Sequence, residues 1–339
     1  TSSRDPVSVG PGTIAVMAIC IPDPALRRAA ALFDVPEPSL RRLDRQGAPD
    51  GAVFRGRRAG REVYLKLVPK GPEQLPELTD RLAFAAHLHG NGIRVVEPVP
   101  STGGALVEHV EADGSSFLCS LTHAAPGRHL GLHHLRRAPR LIGSWAALLG
   151  RMHALSAGYR SGPNLPHWRD EHRYFTETCT DPGLGTLWAR LGADLSALPE
   201  DATVFGAIHN DLHLGNLLVD DDGTLTVLDF DVCARHWFAT DLGIALFHPV
   251  WQLRNQRGDD LAGFAEEAAG FAGAFLSAYA EQYPLDPGWR SLLPTFVRYR
   301  AVLVVQAIRL ELDGAPLPGP VARLRDELVG GGPIDEVRF

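Results

Sequence analysis

The sequence predicts an α+β fold in two lobes, a small β-rich N-terminal lobe and a larger, mainly helical C-terminal lobe. Three observations carry this expectation. The chain has 339 residues, more than one hydrophobic core usually serves. Strand-like runs, with one helical segment among them, cluster before residue 123. Beyond residue 128, amphipathic helical periodicity dominates. The composition is that of a packed protein, 45% hydrophobic and 22% charged. That balance excludes a disordered chain, a collagen and a mucin-like stalk.

Residues 1–22 read as an N-terminal arm. Asp23-Pro24 then supplies an N-cap and a proline at the first helical position. Leu26, Ala30 and Phe33 share one side of a helix running to about Val35. Strand-like runs follow at 40–43, 52–55 and 62–68, the first two separated by the turn-forming Gly47-Ala48-Pro49-Asp50-Gly51. Leu78, Leu82, Ala85 and Leu88 recur at helical spacing across 76–91. Two further strand-like runs, 105–110 and 115–121, flank Ala112-Asp113-Gly114. Residues 23–123 are thus read as the small lobe, 124–127 as a hinge marked by Pro126 and Gly127, and 128–339 as the large lobe. In the large lobe, Leu141, Trp145, Leu148, Leu149, Met152 and Leu155 define an amphipathic helix at 139–157. Late helices span 261–282, lined by Phe264, Phe271, Phe275 and Tyr279, and 288–312, lined by Phe296, Tyr299, Leu303 and Leu310.

A net charge of −7 provides no sequence-independent attraction to nucleic acid. Cys20, Cys119, Cys179 and Cys233 are scattered without a Cys-x-x-Cys pair. That argues against a structural zinc and a disulfide scaffold, and for a reducing, cytoplasmic compartment. The apolar run 13–21 is too short to cross a bilayer, so no membrane partner is expected. His129, His133 and His134 have no acidic companion and are not read as metal ligands.

Chemistry concentrates between residues 208 and 231. Leu217, Leu218 and Val219 form one apolar strand and residues 225–228 another, joined by the acidic turn Asp220-Asp221-Asp222-Gly223. Antiparallel pairing brings Asn216, just before the first strand, beside Asp229, just after the second. Asp211 lies on the loop leading in. One amide and two carboxylates therefore meet at one edge, a set suited to a hard, oxygen-ligated cation.

The pattern His209-x-Asp211-x4-Asn216, followed 13 positions later by Asp229-Phe230-Asp231, resembles the catalytic core of the kinase-like phosphotransferases. These include aminoglycoside phosphotransferases, choline kinases, one type of homoserine kinase and a bacterial stress-response protein kinase. Asp229-Phe230-Asp231-Val232-Cys233, with Trp237, Phe238 and Asp241-Leu242, is most similar to the homoserine-kinase and stress-kinase branch. The resemblance implies a bilobal protein-kinase-like fold with ATP and Mg²⁺ as cofactors. It casts Asp211 as the catalytic group that orients the acceptor hydroxyl, and Asn216 and Asp229 as Mg²⁺ ligands. His209 would brace the catalytic loop, and Asp241 would fix it by accepting hydrogen bonds. Asp231 is either a second acid near the metal or a substrate contact, and Trp237 is placed near the acceptor pocket.

The resemblance also implies a strand lysine for the ATP phosphates. Tyr64-Leu65-Lys66-Leu67-Val68 supplies it; the lysines among 33 basic residues are Lys66 and Lys70. A helix carboxylate should pair with that lysine. The family's spacing, counted back from Phe84, lands on Arg81 instead of an acid; of the neighbouring Glu77 and Asp80, Glu77 is chosen. There is no Gly-x-Gly-x-x-Gly. The turn ending in Gly51 stands where a phosphate cover should be, so Gly51 is assigned to the nucleotide, with an ordinary hairpin turn as the alternative. Residues 121–125 should face the adenine through backbone groups. Cys233 is read as a small packed residue beside the site.

Asp241 follows Asp229 by 12 positions, too few for a long activation segment. The expected activity is transfer of the γ-phosphoryl group of ATP to a hydroxyl of a small molecule: an amino alcohol, hydroxy amino acid, sugar or natural product. A peptide or protein acceptor is the alternative. A nucleotide-binding pseudokinase is a third reading, against which the presence of Lys66, Asp211, Asn216 and Asp229 counts.

Overall fold

The computed structural model describes residues 19–43, 51–258 and 260–332. Most of the arm and residues 44–50 of the first turn lie outside the described residues. Helix α1 (Asp23–Leu32) buries Ala25, Ala29 and Ala30, and Asp23 sits in its first turn instead of at the cap, which falls on Pro22. Strands β1 (Arg41–Arg42), β2 (Ala52–Arg58) and β3 (Arg61–Val68) form a meander; α2 (Leu75–Gly90), β4 (Pro98–Val99), β5 (Val107–Ala112) and β6 (Ser115–His123) follow. They build one antiparallel six-stranded sheet in the order β1-β2-β3-β6-β4, with β5 sharing the β4 edge of β6.

Strand alternation explains how this sheet presents its lysine. Val63, Leu65 and Leu67 of β3 are fully buried in a core with Phe33, Phe54 and Phe117. Successive side chains point to opposite faces, so Tyr64 and Lys66 lie on the other side. At Gly51 a β-carbon would come within 2.7 Å of the Leu67 carbonyl oxygen. Close approach of the start of β2 to β3 is thus a packing reason for glycine there.

The larger part comprises β7 (Arg128–His129), α3 (Leu132–Arg137), α4 (Arg140–Ser156), α5 (Trp168–Thr178), α6 (Pro182–Ser196), β8 (Phe205–Ile208), β9 (Leu217–Val219), β10 (Leu225–Val227), β11 (Ala234–Trp237), α7 (Phe238–Arg257), α8 (Phe264–Ala280), α9 (Pro287–Leu312) and α10 (Gly319–Gly330). The α+β prediction of a small sheet region and a larger helical part agrees with this. Helix α7 runs through the centre, packed against α9 and α8. It is buried on nearly every side, and so lacks the one-sided stripe that betrays a surface helix. Trp145, Trp168, Trp188 and Trp237 are all fully enclosed in this core. Helix α9 has the length and apolarity of a membrane-crossing helix, and its inner face is packed along α7.

Two straps join the sheet region to the β9–β10 hairpin. Val96 N–H donates to Val227 O at 2.9 Å, and Val227 N–H to Arg94 O at 2.9 Å. Arg94 also pairs with Asp220 at 3.1 Å. The chain leaves β6 over the end of β9 at Gly127, where φ is +115° and a β-carbon would meet Val219 O at 2.7 Å. Only glycine meets both demands at that crossing.

Candidate active site

Two short antiparallel ladders hold the site. Strand β8 pairs with β11, Ile208 opposite Ala234 and Phe205 opposite Trp237. Strand β9 pairs with β10, Leu217 opposite Val227. The loop 209–216 connects β8 to β9, and the segment 228–233 connects β10 to β11. Because both ends of one are paired with both ends of the other, loop and segment lie side by side. Leu228 N–H adds a further rung to Asn216 O at 2.9 Å, which leaves Asp229 one residue past the pair. Asp229 is exposed and left-handed, with φ +60°, a conformation that aspartate tolerates better than most residues.

Hydrogen bonds settle the loop. Asp241, in the first turn of α7 and fully buried, accepts from His209 N–H at 3.0 Å and Asn210 N–H at 2.8 Å. Its Oδ2 also lies 3.3 Å from His153 Nε2, whose other nitrogen meets the Tyr279 hydroxyl at 2.8 Å. His209 Nε2 sits 2.8 Å from Leu228 O. A carbonyl only accepts, so Nε2 carries the proton, and Nδ1 is left to accept Asp211 N–H at 3.3 Å. His209 thereby ties the loop to the hairpin end.

Asn216 Nδ2 donates to both Asp211 O and Asp211 Oδ2, each at 2.9 Å. Its Oδ1 is the atom left for a cation. Arg300 of α9 donates through Nη2 to Asp211 Oδ1, and His213 Nε2 lies 3.5 Å from Asp211 Oδ2. Burial alone would raise the Asp211 carboxyl, but the Arg300 guanidinium and His213 hold it well below the usual carboxylate range. His248 accepts from Arg300 Nε and Nη2 at 3.3 and 3.2 Å. Burial, with His213 and Arg300 beside it, lowers its pKa far below the ordinary value and keeps it a neutral acceptor. Behind the loop, Glu171 accepts from Asn210 Nδ2 at 3.0 Å and the Tyr299 hydroxyl at 3.1 Å. Burial pushes its carboxyl up against these hydrogen bonds and the Arg300 charge.

The structure brings Lys66 to this cluster through Asp231, which accepts an ion-paired hydrogen bond from Lys66 Nζ. Arg81 Nη1 donates to the Asp231 carbonyl. Two expectations change here. Glu77 does not partner Lys66; it pairs with Arg81 one helical turn away at 2.9 Å. The carboxylate beside Lys66 is Asp231, because α2 presents Arg81 toward the 229–233 segment. The Asp231 carboxylate is engaged by the lysine, and its backbone N–H lies 3.4 Å from Asp229 Oδ1. Trp237, expected near the acceptor pocket, is fully buried and so offers no surface to an acceptor; it donates through Nε1 to Pro199 O at 2.7 Å and packs on Trp168 and Phe205. Cys233 is buried, and burial raises its thiol well above the ordinary value.

Sequence reasoning did not single out Arg300, His248, Glu171 or His153. Arg300 had a readable signal. It falls in the apolar stripe Leu293, Phe296, Val297, Val304 of α9, and a charge on a core face needs a partner. The other three gave none, since their partners lie far off in sequence.

A family model described as "Phosphotransferase enzyme family" matches residues 41–293, well over half of the chain. The chain is 29% identical over 269 residues to the amicoumacin kinase of Bacillus subtilis (strain 168), covering 76% of this chain and 78% of that one. It is 27% identical over 238 residues to the homoserine kinase of Polaromonas naphthalenivorans (strain CJ2), covering 67% of each. Among solved structures, the amicoumacin kinase hAmiN in complex with AMP-PNP, Ca²⁺ and Ami is similar with a TM-score of 0.78 at 25% identity, covering 91% of this chain and 93% of that one.

Proposed function

Since the chain belongs to the phosphotransferase enzyme family, we propose that it moves the γ-phosphoryl group of ATP to a hydroxyl of a small molecule in the cytoplasm, with Mg²⁺ on the phosphates. The observation that carries this reading is the contact of Asp211 with Asn216 at 2.9 Å while Asp229 stands one residue past the Leu228–Asn216 rung. The relatives, kinases of amicoumacin and homoserine by name, support a small acceptor.

The donor set fits a hard divalent cation. Asn216 Oδ1 and the Asp229 carboxylate are two oxygen ligands, and Mg²⁺ usually takes one or two protein ligands and completes its shell with phosphate and water. Bound there, the cation would neutralise charge on the phosphate oxygens. Lys66 would steady the same phosphates as a point charge from the facing sheet. Asp211 would accept the hydrogen bond of the acceptor hydroxyl. As that oxygen bonds to the γ-phosphorus and the bond to the β–γ bridging oxygen breaks, the proton passes to Asp211 and ADP leaves. Arg300 and His213 keep Asp211 ionised for that task.

The test is ATP turnover across a panel of small hydroxyl compounds and hydroxyl-bearing peptides, with phosphoproducts identified by mass spectrometry. A phosphoester on a small molecule is expected. Phosphorylation confined to peptides would overturn the acceptor class, and no phosphoproduct from any acceptor would overturn the kinase reading itself.

A further inference from the structure

We infer that Arg300 reads the acceptor, and that the substrate class is a hydroxyl compound carrying a carboxylate or carboxamide oxygen one or two carbons from the hydroxyl that receives phosphate. The inference rests on the kinase reading above and narrows it to one acceptor chemistry.

The placement of Arg300 is costly and specific. It projects from the core face of α9 with its side chain 11% exposed. Its guanidinium is a rigid planar fork with five N–H donors. Nη2 is held by Asp211, and Nε and Nη2 by His248, whose ring lies tilted against that of His213 with centroids 4.7 Å apart. Nη1 makes no hydrogen bond among the described residues and is not sealed from solvent. The fork is thus fixed in orientation, with one tine on the group that receives the acceptor's proton and the adjacent tine open.

A hydroxyl that hydrogen-bonds to Asp211 brings its own neighbouring atoms alongside that open tine. A cationic donor there asks for an oxygen acceptor. A carboxylate or an amide carbonyl meets it with a charge-assisted hydrogen bond. A methyl group leaves it unpaired, and an ammonium on the same carbon is repelled. Of the acceptor chemistries open to a small-molecule kinase, this favours hydroxy acids, hydroxy amino acids through their carboxylate, and natural products with a hydroxyl beside an amide. It disfavours simple amino alcohols and plain sugars. The competing account is that Arg300 only balances the charges of Asp211 and Glu171. Charge balance needs a cation but no fork, so lysine would serve equally.

The experiment uses the full chain and matched acceptors: 2- and 3-hydroxy acids, their carboxamides, and the same skeletons with that carbon reduced to methyl or aminomethyl. Each is assayed for kcat/KM by ADP release, with the phosphoproduct identified by mass spectrometry. The carbonyl-bearing members should be favoured by roughly 10- to 100-fold, the range of one hydrogen bond to a charged group. Arg300→Met should bring that ratio close to one, and Arg300→Lys should retain only part of it. Separate acid and carboxamide arms tell whether the favoured oxygen is anionic or neutral, and either supports the inference. Equal use of matched members by the unaltered protein overturns the inference and leaves the kinase reading standing. So does an Arg300→Lys variant with unchanged kcat, KM and ratio. No phosphoproduct from any acceptor overturns both.

Discussion

Asp241 Oδ2 accepts the backbone N–H of His209 at 3.0 Å, so a carboxylate at the start of α7 holds a loop that lies 32 residues earlier in the chain. Its second oxygen takes the next N–H, that of Asn210. Asp241→Ala would leave both donors buried without a partner. The expected loss is about 2–5 kcal/mol, read as a lower denaturant midpoint, with turnover reduced in whatever protein remains folded. Asp241→Asn, which keeps one acceptor oxygen, should fall between. A variant as stable as the parent would remove the anchoring role.

Asp229→Asn should abolish phosphoryl transfer while the fold survives. The side chain is exposed, and asparagine tolerates a φ of +60° as aspartate does. Thermal melting and phosphoproduct detection on the same sample check this. Full activity in a folded variant would sink the metal-ligand assignment.

Asp211→Asn should lower kcat by roughly 10²–10⁴-fold, the usual worth of a positioned general base. ATP affinity should barely move, because Lys66, Asn216 and Asp229 remain. Pairing nucleotide titration with single-turnover rates separates the outcomes. Lost ATP binding with a normal rate at saturation would reassign Asp211 to the nucleotide.

Lys66→Ala should weaken ATP binding without unfolding the sheet, since the side chain is only partly buried. Glu77→Gln should leave ATP affinity unchanged, because Glu77 serves Arg81. Isothermal titration of both variants tests the two assignments together; the reverse pattern would restore Glu77 as the partner of the lysine.

Stability should also fall in acid through His236. Burial lowers its pKa to about 3, against about 6.5 in an unfolded chain. Between these values the unfolded chain binds a proton that the folded protein does not. Stability therefore rises with pH across that window and is lost as pH falls from about 6.5 toward 3. His236→Gln should flatten this slope, seen in urea midpoints at pH 7 and pH 4.5. An unaltered slope would place the acid sensitivity elsewhere.

What could be read in the sequence was local. The hairpin β9–β10 follows from two apolar runs and the turn Asp220-Asp221-Asp222-Gly223, so the pairing of Asn216 with the residue before Asp229 was legible from a stretch of about a dozen residues. The amphipathic stripe of α4 and the lone lysine of β3 were legible for the same reason. The motif order of His209, Asp211, Asn216 and Asp229 carried the family. Strands β8 and β11 are four residues each and too short to stand out, and α7 is buried all round and shows no face.

The contacts that complete the site were decided only by tertiary structure. Asp211 and Arg300 are 89 residues apart, and Lys66 and Asp231 are 165 apart. Turn chemistry and periodicity act within one element, so they are written in neighbouring residues. Which charge from a distant helix meets which carboxylate depends on how α7, α9 and the sheet cross when their apolar faces are buried together, and that is a property of the whole core.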